Sequence, residues 1–154
     1  MQLSQFLDFE AIRFDMAAGN KRQLLNQLSQ IAAARLSIDP SQIADAIAER
    51  ERLGSTGFGQ GVAIPHGKVD GLTRIYCMFT RLAEPVDYKA IDGKPVDLVF
   101  LLLSPPDAGA EHLKALAAIS RVTRHVPTLE KMRGARSRDA LAAVLMGADE
   151  RDAA

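Results

Sequence analysis

Apolar residues recur along the chain with two different periods. After Gly19-Asn20, Leu24, Leu28, Ile31 and Ala32 follow at helical spacing, which predicts an amphipathic helix from about 21 to 36 with Asn20 as its N-cap. Asp39-Pro40 opens a second helix, a capping acid followed by proline at the first helical position. Ile43, Ala46, Ile47 and Arg50 continue it until Gly54, a residue suited to the turn after a helix. Ile75 to Leu82 reads as a strand. Val96 to Leu103 is apolar except for Asp97, as expected of a central strand covered on both faces. Between them Pro85 to Pro95 is turn-rich, with Asp92-Gly93 the strongest signal.

Ser104-Pro105-Pro106-Asp107 stops the apolar strand. A helix is predicted from Glu111 to about His125, with Leu113, Leu116, Ala117 and Ser120 on one side. A short helix follows Thr128, and a last one runs from Ser137 to Gly147 with Leu141, Val144 and Leu145 inward. The mixing of helices and strands predicts an α/β (α+β) protein, a single sheet with helices packed on it. At 154 residues the chain suits one domain, expected over 1–147, with 148–154 as a C-terminal tail that frays from Asp149.

Gly54 to Gly71 breaks both periods. Gly54, Gly57, Gly59, Gly61 and Gly67 surround a short apolar run, Val62-Ala63-Ile64, which predicts a flexible loop, a short strand and then a tight turn through Pro65-His66-Gly67. The glycines do not form a nucleotide fingerprint: their spacing is G-x-G-x-G and leads into a strand, and Lys68 is followed by Val69 where a P-loop needs Ser or Thr. Glycine does let backbone N–H groups approach an anion closely, and Ser55 and Thr56 add hydroxyls that either donate to such an anion or cap the turn. A histidine held between Pro65 and Gly67 can present one ring nitrogen while the other is anchored, an arrangement suited to a nucleophile. With an ordinary pKa near 6.5, it is mostly neutral at about pH 7 and needs no general base.

Composition narrows the alternatives. Nineteen Lys+Arg balance nineteen Asp+Glu, so charge gives no reason to expect a nucleic acid or an anionic membrane as partner. The single cysteine, Cys77, excludes an intramolecular disulfide and reads as a small buried hydrophobe. The N-terminus lacks signal-peptide features and no apolar run nears the roughly 20 residues of a membrane span, so a cytoplasmic location is expected. His66, His112 and His125 lack metal-ligand spacing, so neither a metal nor another cofactor is expected.

Four segments in order resemble phosphotransferase-system IIA proteins of the mannitol/fructose class, in particular their nitrogen-regulatory branch. They are Gly54-Ser55-Thr56-Gly57, Gly61-Val62-Ala63-Ile64-Pro65-His66-Gly67-Lys68, Ala90-Ile91-Asp92-Gly93-Lys94-Pro95-Val96-Asp97-Leu98, and Glu111-His112-Leu113 opening a helix. The resemblance implies that family's fold, a mixed sheet flanked by helices, and makes His66 the phosphoacceptor, reacting through Nε2. It assigns His112 to steady His66 or to hydrogen-bond the phosphoryl group, and Arg50 to approach that group, with Arg52 the competing candidate. Ser55, Thr56 and Gly67 would bind phosphate, and Lys68 would attract the anion or stand as a surface charge. The implied donor is an HPr-like phosphocarrier, docking through apolar residues such as Phe58 and Ile64. The outlet is either regulatory proteins, such as transporters or sensor kinases, or a IIB domain that passes phosphate to fructose or mannitol. Gly67, where fructose-type proteins more often have alanine, and the lack of an attached IIB, HPr or membrane segment favour the regulatory branch. An interaction module that is never phosphorylated is the remaining alternative.

Overall fold

The computed structural model describes the backbone of residues 1–153 and the side chains as far as residue 148. Two 3₁₀ turns, Leu3–Gln5 and Phe9–Ala11, lead into β1 (Arg13–Met16), α1 (Lys21–Leu36) and α2 (Pro40–Arg52). Three short strands follow, β2 (Gly57–Gly59), β3 (Val62–Ala63) and β4 (His66–Lys68), then the long pair β5 (Tyr76–Val86) and β6 (Val96–Ser104). The chain closes with α3 (Ala110–Arg124), α4 (Val126–Gly134) and α5 (Arg138–Ala153).

The first two helices start where their caps dictate. The Asn20 side chain accepts the Gln23 N–H at 2.9 Å, and the Asp39 carboxylate accepts the Ser41 N–H at 2.9 Å with Pro40 next to it in the first turn. After α2, Gly54 adopts φ 145°, open to glycine and strained for other residues.

The sheet is mixed. Its order is β1-β5-β6-β3-β2, with β4 also on β6. β5 and β6 are antiparallel, while β1 runs parallel to β5, and β3 and β4 run parallel to β6. The alternation along β6 builds both halves of the core. Val99, Leu101 and Leu103 join the cluster under α1 and α2 with Leu24, Leu28, Ile43 and Ile47. Leu98, Phe100 and Leu102 join the cluster under α3 to α5 with Ile119, Leu129, Leu141 and Leu145. Both faces of this strand are therefore covered, as its continuous apolar run predicts. Cys77 is fully buried in the second cluster.

Several expectations need correction. His66 is not in a tight turn. β3 and β4 lie end to end along β6, pairing Val62 with Leu98 and His66 with Leu102, and Pro65 bridges them by accepting the Leu102 N–H at 2.9 Å. Proline offers no N–H to a ladder, so the strand is interrupted there but stays extended. β5 runs on to Val86, because a bulge lets Val86 pair with Val96. In α3 the inward residues are Ala115, Ala118, Ile119 and Val122, whereas Leu113 is 67 % exposed. α4 starts at Val126, ahead of Thr128, and α5 runs on to Ala153, past the end expected at Gly147; Ala154 lies outside the described residues. β1 and the two 3₁₀ turns carry no signal that periodicity detects. No helix among the described residues is long and apolar enough to cross a membrane.

Candidate functional site

β4 and the last turn of α2 meet at an open cleft, with the first turn of α3 on its other side. Ala46, Arg50 and Leu53 of the α2 segment line it, together with His66, Gly67, Lys68 and His112. Gly67 decides how close the helix comes. A methyl group there would lie 3.1 Å from both the carbonyl carbon and the Cβ of Ala46, one helical turn before Arg50. Glycine thus permits the approach that brings Arg50 to the strand.

His66 is 7 % exposed and is held at both ring nitrogens. Its Nδ1–H donates to the Ile64 carbonyl at 2.7 Å, and its Nε2 accepts from Nε–H of Arg50 at 3.2 Å. A nitrogen that accepts from arginine carries a lone pair, so these two partners together require the neutral Nδ1–H tautomer. Burial, helped by the positive charge of Arg50, lowers the His66 pKa, while the Ile64 carbonyl and Glu51 oppose that shift. The ring is therefore neutral and nucleophilic near pH 7.

Arg50 is steadied by a second bond, Nη1–H to the Gly54 carbonyl at 2.9 Å. Its Nη2 makes no hydrogen bond among the described residues, so guanidinium donors remain available beside Nε2 of His66. The competing residue, Arg52, is exposed and lies about 200° further around the helix, which directs it away. His112 shares a 2.5 Å hydrogen bond with Ser104 through Nδ1, and its ring centre lies 5.5 Å from that of His66. Burial lowers its pKa as well, with His66 and Lys68 adding to the effect. Lys68 is exposed on the rim.

The other sequence candidates are placed elsewhere. Thr56 is fully buried, and its hydroxyl is engaged by Glu51 and by Tyr88 rather than facing the cleft. Ser55 Oγ accepts the Gly57 N–H at 3.1 Å, which is the turn-capping alternative. Ile64, expected on a docking surface, is only 2 % exposed because it packs under α3 to α5. Phe58 is exposed. His125 bonds Thr128 at the start of α4, at 2.6 Å. Among the described residues no three His, Cys, Asp or Glu side chains converge as metal ligands do.

Sequence reasoning missed Ser104, Glu51, Tyr88 and Lys21. A hydroxyl ending an apolar strand eight residues before a histidine was the one available signal for Ser104; the other three are brought together only by folding.

Comparisons with known proteins place the chain in a family. Residues 5–147 match the family model described as phosphoenolpyruvate-dependent sugar phosphotransferase system, EIIA 2. The nitrogen regulatory protein of Bradyrhizobium diazoefficiens is 42 % identical over 145 residues, covering 94 % of this chain and 95 % of that one. The crystal structure of nitrogen regulatory protein IIA-Ntr from Neisseria meningitidis superposes with a TM-score of 0.86 at 35 % identity, covering 93 % of this chain and 98 % of that one. IIA mannitol from Escherichia coli, at 19 % identity, shares the fold with a TM-score of 0.76 over 90 % of this chain and 97 % of its own. The chain belongs to the EIIA 2 family of the phosphoenolpyruvate-dependent sugar phosphotransferase system, as a component similar to IIA-Ntr.

Proposed function

We propose that His66 accepts a phosphoryl group on Nε2 from the phosphohistidine of an HPr-like carrier, and that the phosphorylation state of the protein regulates its partners. The observation that carries this reading is the double hold on His66: Nδ1–H on the Ile64 carbonyl, and an Nε2 lone pair beside the donors of Arg50.

In the transfer, the Nε2 lone pair forms a new P–N bond while the carrier's P–N bond breaks. The electron pair returns to the carrier's protonated ring, which leaves as neutral imidazole. The Nδ1 proton stays on His66, where the Ile64 carbonyl stabilises the positive charge that develops on the ring. Arg50 exchanges its bond to Nε2 for bonds to phosphoryl oxygens, and its planar fork suits them. His112, oriented by Ser104, supports the same group from the opposite wall. Gly67 and Lys68 border the space that the anion enters. Exposed Leu53 on the cleft and Leu113 next to His112 supply apolar contact to the carrier, in place of buried Ile64.

The regulatory outlet, toward transporters or sensor kinases, draws support from the similarity to nitrogen regulatory proteins. A phosphoryl group adds roughly −1.5 to −2 charges, enough to change what docks on this surface. The test is intact-mass spectrometry under alkaline conditions after mixing with enzyme I, carrier and phosphoenolpyruvate. Wild type gains one phosphoryl group, and His66→Ala and His66→Gln gain none; label on either variant refutes the assignment. Rapid onward transfer to an added IIB domain would place the protein in sugar transport instead.

A further inference from the structure

Glu51 follows Arg50 in α2 but its side chain never reaches the cleft. The carboxylate keeps only 9 % of its side-chain exposure. It accepts Lys21 Nζ at 2.8 Å, the Thr56 N–H at 3.3 Å and the Tyr88 hydroxyl at 3.1 Å, and it also accepts the Thr56 hydroxyl. Donors from the start of α1, from the loop before β2 and from the segment after β5 thus converge on one anion. Lys21 further lies 4.2 Å over the Tyr88 ring. Burial works against the charge, yet the bonds from Lys21 and Thr56 hold the Glu51 pKa below the ordinary carboxylate range.

What makes this cluster more than a strut is where it leads. Thr56 is clamped to Glu51 by both its N–H and its hydroxyl. The carbonyl of the same residue accepts the Ile64 N–H at 2.9 Å, and the Ile64 carbonyl accepts Nδ1–H of His66 at 2.7 Å. Two consecutive residues of α2 therefore reach opposite sides of one imidazole. Arg50 meets Nε2 directly, and Glu51 acts on Nδ1 through Thr56 and Ile64.

We propose that Glu51 is a positioning residue for phosphoryl acceptance: by clamping Thr56 it holds the Ile64 carbonyl on Nδ1–H, which keeps the lone pair of His66 on Nε2. The inference rests on the reading of His66 as phosphoacceptor. It gives Thr56 a role different from direct phosphate binding, in keeping with a hydroxyl that is buried and already bonded.

The experiment pairs kinetics with the ring tautomer. Glu51→Gln removes the charge, Thr56→Val removes the hydroxyl, and Thr56→Ser keeps both donors. Glu51→Gln and Thr56→Val are expected to lower the single-turnover rate of phosphoryl acceptance about tenfold, with the carrier concentration for half-maximal rate unchanged. In ¹⁵N spectra of the unphosphorylated protein, both should show a growing Nε2–H population of His66. Thr56→Ser should retain the wild-type rate and the single Nδ1–H tautomer. If Glu51→Gln does not fold, Glu51→Asp, which keeps the charge but shortens its reach, is read the same way. A wild-type tautomer in folded Glu51→Gln or Glu51→Asp and in Thr56→Val overturns the proposal, as does a rate loss that only follows the unfolded fraction. The spectra need no donor. A wild-type chain that takes no phosphoryl group on His66 therefore sinks the phosphoacceptor reading, while the tautomer still judges Glu51.

Discussion

Arg50 and Arg81 each bond carbonyls at the C-terminal end of a helix, and their surroundings differ in kind. Arg81, on β5, is 8 % exposed and sits under the end of α4. Its Nη1 donates to the carbonyls of Met132, Arg133 and Ala135 at 2.8, 3.2 and 2.7 Å. Nε and Nη2 reach Asp15 at 3.3 and 3.0 Å, and the guanidinium lies 4.2 Å over the Phe14 ring. Its donors are engaged by the protein and its charge is paired. Arg50, at the end of α2, bonds one carbonyl and one histidine nitrogen, and no carboxylate bonds it among the described residues. A guanidinium saturated by carbonyls holds a fold together. One that faces a cleft with donors left over, beside a nucleophilic nitrogen, is arranged for an incoming anion.

The sharpest way to break this comparison is to remove each arginine in turn. Arg81→Ala leaves carbonyls without their donor in a buried setting and should cost about 3–5 kcal/mol of stability in urea titration. The fraction that remains folded should accept phosphate at the wild-type rate; a slow but stable Arg81→Ala protein would dissolve the distinction. Arg50→Ala should do the reverse. Losing a charge-assisted bond of about 1.5–3 kcal/mol in the transition state slows transfer about 10- to 100-fold, with stability changed by less than about 1 kcal/mol. Arg50→Lys should not restore the rate, because an ammonium lacks the planar fork.

Gly67→Ala is a subtler probe of the cleft. The added methyl meets the Ala46 backbone at 3.1 Å, so α2 must move by a few tenths of an ångström and carry Arg50 with it. A loss of a few-fold in transfer, with about 1 kcal/mol of stability, is expected from such overpacking. The smallest effect is on pH dependence. Burial and Arg50 disfavour the imidazolium of His66, so its NMR titration midpoint should lie below the ordinary value of 6.5. Stability contributed by the neutral ring is complete above that ordinary value and lost as pH falls toward the lower folded midpoint. Transfer should stay flat down to the same region. In Arg50→Ala the midpoint should rise, and an unchanged midpoint would mean that the arginine does not act on this nitrogen electrostatically.

The site was legible in sequence where its cues were local. His66 stood out through Pro65 and Gly67, and the end of α2 through Gly54. His112 and Arg50 entered through family resemblance, and folding does bring them to the same cleft. The clamp was not legible, because Glu51 meets Lys21 across 30 positions and Tyr88 across 37. Nothing in Glu49-Arg50-Glu51-Arg52 distinguishes the half-buried Glu51 from exposed Glu49 and Arg52. The inward face of α3 was misjudged for a related reason: small alanines at Ala115 and Ala118 pack inward while the larger Leu113 stays in solvent, a choice that hydrophobicity alone does not reveal.

By itself, then, the sequence determined the features that short stretches of chain control: the starts of α1 and α2 at Asn20 and Asp39, the doubly covered strand β6, and a histidine set among residues that expose a ring nitrogen. Caps, strand alternation and proline act over a few residues, so they can be read in order. Tertiary structure alone decided that His66 lies extended on β6, that Arg50 and not Arg52 meets its Nε2, and that Thr56 turns to Glu51 instead of the cleft. Those choices depend on helix phase, on the approach of α2 that Gly67 permits, and on a half-buried anion gathering donors from distant segments. Each is an energy of contact between parts of the chain that no local pattern records.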